Sequence, residues 1–131
     1  IPASVEGRDY SALLRQDAVQ PRRPSAALYM RNLDGERDVD GLVRGFFAQA
    51  RGVKTSTHTM ELRIGRDGRL ERVLLFDDAV DPYQLHNLAP EENPELFASL
   101  CRELAVLLRD NDDVWFRERV LADVVPYDTS N

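Results

Sequence analysis

The clearest pattern along the chain is a period-2 alternation of apolar and polar residues in HTMELRI, residues 58–64. Its apolar positions predict a strand with one buried face, and they are Met60, Leu62 and Ile64. GRDG, residues 65–68, predicts a tight turn because its two glycines tolerate positive φ. RLERVLLF, residues 69–76, then returns as a second strand whose apolar end is typical of a central strand. The pattern predicts a β-hairpin.

A second pattern, with helical spacing, predicts one long helix towards the C-terminus. Asn93 is a good N-cap, Pro94 suits the first helical position, and Glu95 favours the positive end of the helix dipole. Apolar residues then recur on one face, and they are Leu96, Phe97, Leu100, Cys101, Leu104, Leu107 and Leu108. DNDD, residues 110–113, breaks this helix and can cap another in VWFRERVLADVV, residues 114–125.

The first part of the chain has a weaker pattern. Residues 1–25 are punctuated by proline and predict an irregular arm. SAALYMRNL, residues 25–33, predicts a strand, whereas the polar DGERDVDGLVRG, residues 34–45, predicts a loop. FFAQARGVKT, residues 46–55, is apolar again. The whole pattern predicts an α+β fold, in which an antiparallel sheet of about four strands is packed by a long C-terminal amphipathic helix.

Composition and charge narrow the classes of function. The 131 residues suffice for one domain with its own core, and the net charge of −6 argues against nucleic-acid binding, which needs clustered Lys and Arg. No apolar run approaches the roughly 20 residues of a membrane span. The chain begins at Ile1, and its methionines are Met30 and Met60, so we expect it to be part of a longer protein.

No recognisable catalytic set is present. The acidic loop from Asp34 lacks the Gly and Glu of a calcium-binding EF-hand at the required positions. His58 and His86 show no zinc-site spacing, and Cys101 falls on the apolar face of the helix, where a buried, inert thiol is expected. We therefore predict no catalytic residue and no metal ligand in this chain.

One basic cluster could bind an anionic, ring-shaped ligand. Arg44, Arg51 and Lys54 flank the aromatic pair Phe46-Phe47 in LVRGFFAQARGVK. Charged donors beside aromatic rings can combine charge-assisted hydrogen bonds with stacking. An ordinary strand edge with solvated charges would have the same composition, so both interpretations stay open.

Taken in order, several stretches resemble the C-terminal subdomain of the formylglycine-dependent sulfatases. VEGRDYSALL is similar to the segment that precedes this subdomain, ARGVKTSTHTMEL to its first long strand, and LLFDDAVDPYQLHNLA to the next strand and its exit. The helix NPELFASLCRELAVLLRDNDD, followed by Val114-Trp115, is similar to the closing helix. His58 departs from the aromatic residue usual in that family, and Gln84 stands where Glu is frequent.

The resemblance implies a sulfuric ester hydrolase whose chemistry lies elsewhere. Sulfatases use a formylglycine made from Cys or Ser in Cys/Ser-x-Pro/Ala-x-Arg, assisted by a calcium ion bound in the larger N-terminal domain. Here the single cysteine lies in CRELA, residues 101–105, which lacks both the Pro/Ala and the Arg. The chain would thus be catalytically inactive alone, while its parent would need calcium and formylglycine.

The resemblance also implies a division of the chain and a role for each part. Residues 1–25 would link to the absent catalytic domain, and residues 26–131 would form the C-terminal subdomain. The exit after Phe76 would be structural, with Asp77 and Asp81 fixing the turn through side-chain-to-backbone bonds and Leu88 tucked under the helix.

Two functions from different classes follow. In the first, the chain is a C-terminal sulfatase fragment that packs on the N-terminal catalytic domain, completes the substrate pocket, and contacts a sulfated small molecule or glycan through Arg44, Arg51, Lys54 and His58. In the second, it is a free-standing binding module that uses the Phe46-Phe47 and Arg/Lys patch for a protein or carbohydrate partner.

Overall fold

The structure is a computed structural model that describes residues 26–31, 35–37, 43–45, 49–65 and 67–128. The predicted arm over residues 1–25 and the Phe46-Phe47 pair lie outside these ranges. The elements in chain order are β1 (Ala26–Arg31), β2 (Gly35–Arg37), β3 (Val43–Gly45), β4 (Ala50–Thr55), β5 (His58–Ile64), β6 (Leu70–Asp77), α1 (Pro94–Asp110) and α2 (Val114–Arg117). No helix within the described ranges is both long and apolar enough to cross a membrane.

The sheet confirms the predicted α+β fold. Four antiparallel strands lie in the order β1-β4-β5-β6. The predicted hairpin joins β5 to β6, with Met60 opposite Leu75. Gly68 has a φ of 75° in its turn, a conformation that glycine adopts without steric cost.

Residues 34–45, predicted as a loop, contain a small antiparallel ribbon of β2 and β3. Gly35 lies opposite Gly45, and Arg37 lies opposite Val43. Strands of three residues are too short to show a period-2 pattern, so the polar composition of this stretch concealed them. The prediction of a loop was wrong for these two short segments.

The core lies between one face of the sheet and α1, which packs across β1 and β4. The apolar positions predicted for β5 are all buried, as are Val53 on β4 and Leu75 on β6. From α1, four residues of the predicted apolar face and Ala105 supply the opposite wall, and these four are Leu100, Cys101, Leu104 and Leu108. The other predicted residues, Leu96, Phe97 and Leu107, are partly buried against the core. The apolar residues that alternate in β5 and those that repeat with helical spacing in α1 therefore pack together in one core.

The ends of α1 follow the sequence with one difference. Pro94 begins the helix as predicted, but the Asn93 side chain donates to the Ala89 carbonyl at 3.0 Å and makes no capping bond to a helix N–H. Asp112, with a φ of 48°, turns the chain after the helix. Asp113 then caps α2 by accepting from the Trp115 N–H at 2.8 Å.

Only the first four residues of 114–125 are helical. Arg119 and Leu121 have positive φ values of 53° and 56°, which end the helical path. Residues 114–127 nevertheless close the core, because Trp115, Val125 and Tyr127 are buried there.

Strands β4 and β5 approach each other closely at Gly52. A Cβ at this position would lie 2.2 Å from the Met60 carbonyl oxygen, which belongs to the backbone of the neighbouring strand. We expect Gly52→Ala to lower the free energy of unfolding by at least about 2 kcal/mol, because the strand pair must separate to admit the methyl group. Urea unfolding measures the loss.

Gly68→Ala is the matched control for this variant. A Cβ there meets nothing within 4 Å, so only the left-handed backbone is penalised, by about 1 kcal/mol. Equal unfolding midpoints for the two variants would contradict the close strand contact at Gly52.

Candidate functional site

The predicted substrate residues do not form one cluster. Arg51 and Lys54 are three positions apart on β4, so their side chains leave opposite faces of the sheet. Arg51 shares the core face with Val53, whereas Lys54 lies on the face away from α1. Arg44 lies in β3, in the separate two-stranded sheet.

Arg51 is part of the core. It is 1% exposed, and its Nε donates to Asp113 Oδ2 at 3.0 Å, while a terminal nitrogen donates to the Ala50 carbonyl at 3.0 Å. The guanidinium carbon lies 5.3 Å from the centre of the Trp115 ring, within range of a cation–π interaction. These contacts give Arg51 a structural role in this chain.

Asp113 and Trp115 complete this buried polar cluster. One oxygen of Asp113 accepts from Arg51 and the other caps α2, so a single carboxylate joins the sheet to the C-terminal segment. The indole N–H of Trp115 donates to Gln49 Oε1 at 3.1 Å, just before β4 begins. Each polar group thus meets a partner, as burial requires.

Lys54 belongs to a second polar cluster on the other face. Its ammonium donates to Asp78 Oδ2 at 2.7 Å and to Thr59 Oγ1 at 2.9 Å. Thr59 Oγ1 donates to the same Asp78 oxygen at 2.7 Å, and Gln84 Nε2 donates to Asp78 Oδ1 at 2.8 Å. We call Lys54, Thr59, Asp78 and Gln84 the Asp78 network.

The Asp78 network shifts the pKa of its carboxyl. Burial alone would raise the pKa of Asp78, but hydrogen bonds from Lys54, Gln84 and Thr59, with the Lys54 charge, together lower it below its ordinary value of 3.8. The carboxylate therefore stays ionised and keeps the ammonium of Lys54 in place.

Sequence reasoning identified Lys54 but missed its partners. Thr59 lies opposite Lys54 in the register of β4 and β5, which no local motif reveals. Gln84 reaches the network because its φ of 55° turns the chain back towards the sheet. The only available signal was that Gln84 replaces the Glu usual in the resembling family.

His58 begins β5 opposite Asp77 and is half-buried. Its Nδ1 is hydrogen-bonded to Thr57 Oγ1 at 2.8 Å, and its Nε2 lies 4.0 Å from Asp77 Oδ2. Because His58 shares the side of β5 that carries Met60, it and Lys54 lie on different faces of the sheet edge.

The segment 77–88 is held by the side-chain bonds that were predicted. Asp77 Oδ1 accepts from the backbone N–H of Ala79 at 3.0 Å, and Asp81 Oδ2 accepts from that of His86 at 2.7 Å. The same bond from His86 lowers the pKa of Asp81. Leu88 is partly buried against the core, as expected. Phe76 is also buried, but opposite Thr59 on the face away from α1.

Asn87 and Leu88 also cover the outer edge of β6. The Leu75 N–H donates to Asn87 Oδ1 at 2.8 Å, and the Leu75 carbonyl accepts from the Leu88 N–H at 2.8 Å. The segment that leaves the sheet thereby satisfies the backbone of the strand it has just left.

The residues that the structure describes include one buried cysteine thiol and form no metal-holding cluster. Burial raises the pKa of the Cys101 thiol to about 12, so it does not ionise near neutral pH. Within the described ranges, no group of three or more His, Cys, Asp or Glu side chains is arranged to hold a metal ion.

Comparison with known proteins shows what the chain is similar to. It is 45% identical, over 128 residues and 97% of its length, to the C-terminal region of the endo-4-O-sulfatase of Bacteroides thetaiotaomicron, and spans 25% of that protein. No family model matches the chain.

Solved structures agree with this match. A 4S-sulfatase structure from work on glycosaminoglycan metabolism by Bacteroides thetaiotaomicron superimposes with a TM-score of 0.81 at 45% identity, covering 96% of this chain and 26% of that one. The protein yidJ of Bacteroides fragilis, classed with the sulfatases, covers 69% of this chain and 17% of its own, with a TM-score of 0.53 at 22% identity, and supports the fold alone. The resemblance found in the sequence is confirmed.

The two polar clusters should differ in how much they contribute to stability, and substitution of Arg51 and of Lys54 tests this difference. We expect Arg51→Ala to lower the free energy of unfolding by about 3–5 kcal/mol, because it leaves Asp113 buried without its cation. Lys54→Ala should cost about 1 kcal/mol or less, since the Lys54 side chain is half exposed. Urea unfolding of both variants measures the difference, and similar losses would contradict the buried role of Arg51.

The acid dependence of stability tests the Asp78 network. Because folding lowers the pKa of Asp78 below 3.8, its stabilising effect is complete above that value and is lost as the pH falls through the folded pKa. We expect Asp78→Asn to lower the unfolding midpoint at about pH 6 much more than at about pH 3. Glu71→Gln, at an exposed carboxylate of β6, is the control. A loss that is equal at both pH values would contradict the shift.

Proposed function

We propose that this chain, which is the counterpart of the C-terminal region of a sulfatase, completes the substrate pocket of a sulfuric ester hydrolase and has no turnover by itself. The observation that carries the proposal is the 45% identity over 97% of the chain, matched by a TM-score of 0.81. The chain spans about a quarter of both relatives, so the activity of the whole enzyme is inferred from them.

The catalytic groups belong to the remaining part of the enzyme in this proposal. Cys101 is buried on the core face of α1, and no cluster of metal-holding side chains is formed by the residues that the structure describes. The resemblance to sulfatases implies that a formylglycine nucleophile and a calcium ion would be held by the N-terminal catalytic domain, which is the expected partner of this chain. The present chain supplies shape and outer contacts.

Among the residues predicted to contact substrate, Lys54 has the most suitable environment. Its side chain is 51% exposed, and two of the three hydrogens of its ammonium point to Thr59 and Asp78. The third can donate to a sulfate or hydroxyl oxygen. Because Asp78 holds the ammonium in one position, little side-chain freedom is lost when it binds.

Arg44 and His58 remain proposed substrate contacts, although His58 leaves the other face of the sheet edge from Lys54. Arg51 supports β4 from the core. His58 is half-buried beside Thr57, at the same end of β5 as the Asp78 network. Arg51 lies behind the sheet and holds β4, the strand that carries Lys54. Loss of Arg51 would thus reduce activity through stability, and loss of Lys54 would reduce it at the substrate.

The similarity to an endo-4-O-sulfatase, and to a 4S-sulfatase structure from work on glycosaminoglycan metabolism by Bacteroides thetaiotaomicron, supports a substrate class. We propose a 4-O-sulfated glycosaminoglycan as the substrate of the full enzyme. The sulfate ester would be hydrolysed at sugars inside the glycan rather than at its end.

Turnover tests the function and the contact together. The full-length enzyme should release sulfate from a 4-O-sulfated glycosaminoglycan, and the 131-residue chain alone should release none. In the full-length enzyme, Lys54→Ala should lower kcat/KM by about tenfold or more, the usual effect of losing a charge-assisted hydrogen bond. Lys54→Arg should recover part of this loss.

Two results would contradict the proposal. Arg109→Ala removes an exposed cation from α1 and should leave kcat/KM unchanged; an equal loss would mean that overall charge matters rather than the Lys54 contact. Absence of sulfate release by the full-length enzyme from any sulfated glycan or aryl sulfate would favour the free-standing binding module.

A further inference from the structure

Exposed large hydrophobic residues are concentrated in one short segment of the part of the chain that the structure describes. Four such residues are exposed in that part, and three of them lie within residues 80–85. Val80 is 82% exposed, Tyr83 is 83% exposed and Leu85 is 74% exposed. We call these three residues the apolar crest.

A network of hydrogen bonds holds the backbone beneath the crest. Asp77 accepts from the Val80 N–H at 3.3 Å, and the Gln84 N–H donates to the Asp81 carbonyl at 3.0 Å. The left-handed Gln84 stands between Tyr83 and Leu85, and its side chain is anchored to Asp78 and Thr59. Asn87 then ties the segment to the edge of β6.

This arrangement is not explained by the core of the chain itself. Apolar side chains this exposed contribute nothing to the packing between the sheet and α1, yet the segment that carries them is well anchored. Clustered exposed apolar groups mark binding surfaces, and a fixed backbone reduces the entropy lost when such a surface binds.

The surroundings of the crest have the layout of an interface. The Asp78 network lies beside it, because Gln84 of that network stands between Tyr83 and Leu85 in the chain. An apolar centre next to a satisfied polar cluster matches the core and rim of protein interfaces. A partner that covers the crest would bring its own surface close to Lys54.

We propose that the apolar crest docks into an apolar recess of the N-terminal catalytic domain of the same enzyme. This inference rests on the proposed function, because the occupant is the part of the enzyme that this chain lacks. The chain spans 25% of the endo-4-O-sulfatase, so in that relative the other three-quarters are joined covalently to the counterpart of this chain. Docking at the crest would place the Asp78 network at the boundary between this chain and the catalytic domain. A substrate pocket that both of them line would lie at this boundary.

Hydroxyl-radical labelling of Tyr83 tests the docking directly. In the 131-residue chain the ring should be labelled quickly, because it is 83% exposed. In the full-length enzyme without substrate, labelling should slow about tenfold, to a rate like that of the buried Tyr127, because the core of an interface packs like a protein interior. Tyr127 is 8% exposed in the isolated chain and serves as the internal reference.

Thermal unfolding of the full-length enzyme provides a second measurement. Replacing the crest, as Val80→Ser, Tyr83→Ser and Leu85→Ser together, should split one unfolding transition into two, while the 131-residue chain with the same changes keeps its midpoint. Leu70→Ser, at the other exposed hydrophobic residue, should leave the single transition of the full-length enzyme intact.

The outcomes distinguish the inference from the proposed function. Equal labelling of Tyr83 in both proteins would overturn the docking even if the enzyme releases sulfate. Protection that appears only after a sulfated glycan is added would also overturn it, since the crest would then be a substrate contact. Protection without substrate, in an enzyme that hydrolyses no sulfate ester, would support docking while contradicting the proposed function.

Discussion

The ion pair between Arg51 and Asp113 is the contact on which the rest of the structure depends. It joins β4, an interior strand of the sheet, to the turn between α1 and α2. Asp113 also caps α2, and Trp115 lies against the guanidinium, so the closing segment is placed by the same carboxylate. Burying such a pair is worthwhile only when its remaining donors and acceptors are satisfied, and here they are.

The two faces of the sheet carry different contacts. On the face towards α1, Arg51 and the apolar residues around it hold the layers together. On the other face, Lys54 and Asp78 stand beside solvent and beside the apolar crest. A strand alternates its side chains between the faces, so one short strand can provide both the stability of the fold and the outer contacts of a pocket.

The segment 77–88 connects these roles. It was interpreted from the sequence as a structural joint, and its hydrogen bonds to Asp77, Asp81 and Leu75 agree with that interpretation. The same bonds also fix three exposed hydrophobic side chains and deliver Gln84 to the Asp78 network. An anchored connection and the proposed docking surface thus lie on one stretch of backbone.

Much of the fold followed from patterns that are local in the sequence. Strand β5 and helix α1 were recognisable because burial on one face repeats with period 2 or 3.6, and Pro94 marked the helix start. The short β2–β3 ribbon was missed because three-residue strands carry no such repeat. Asn93 has the residue type of a cap, yet its side chain bonds backwards to Ala89, a choice that depends on the preceding turn.

The candidate site was less predictable, for a reason that applies to charged residues on strands. Arg51 and Lys54 are neighbours in the sequence and have similar charge, so sequence alone grouped them in one basic patch. Their spacing on β4 sends the two side chains to opposite faces, but which face is buried depends on the packing of the sheet against α1. The carboxylate that each cation meets is Asp113 or Asp78, and both lie far along the chain. The sequence by itself determined the α+β class, the hairpin, the long helix and the resemblance to sulfatases, because these depend on local order. Only the tertiary structure decided which cation is buried and which is exposed, because those partners meet only after folding.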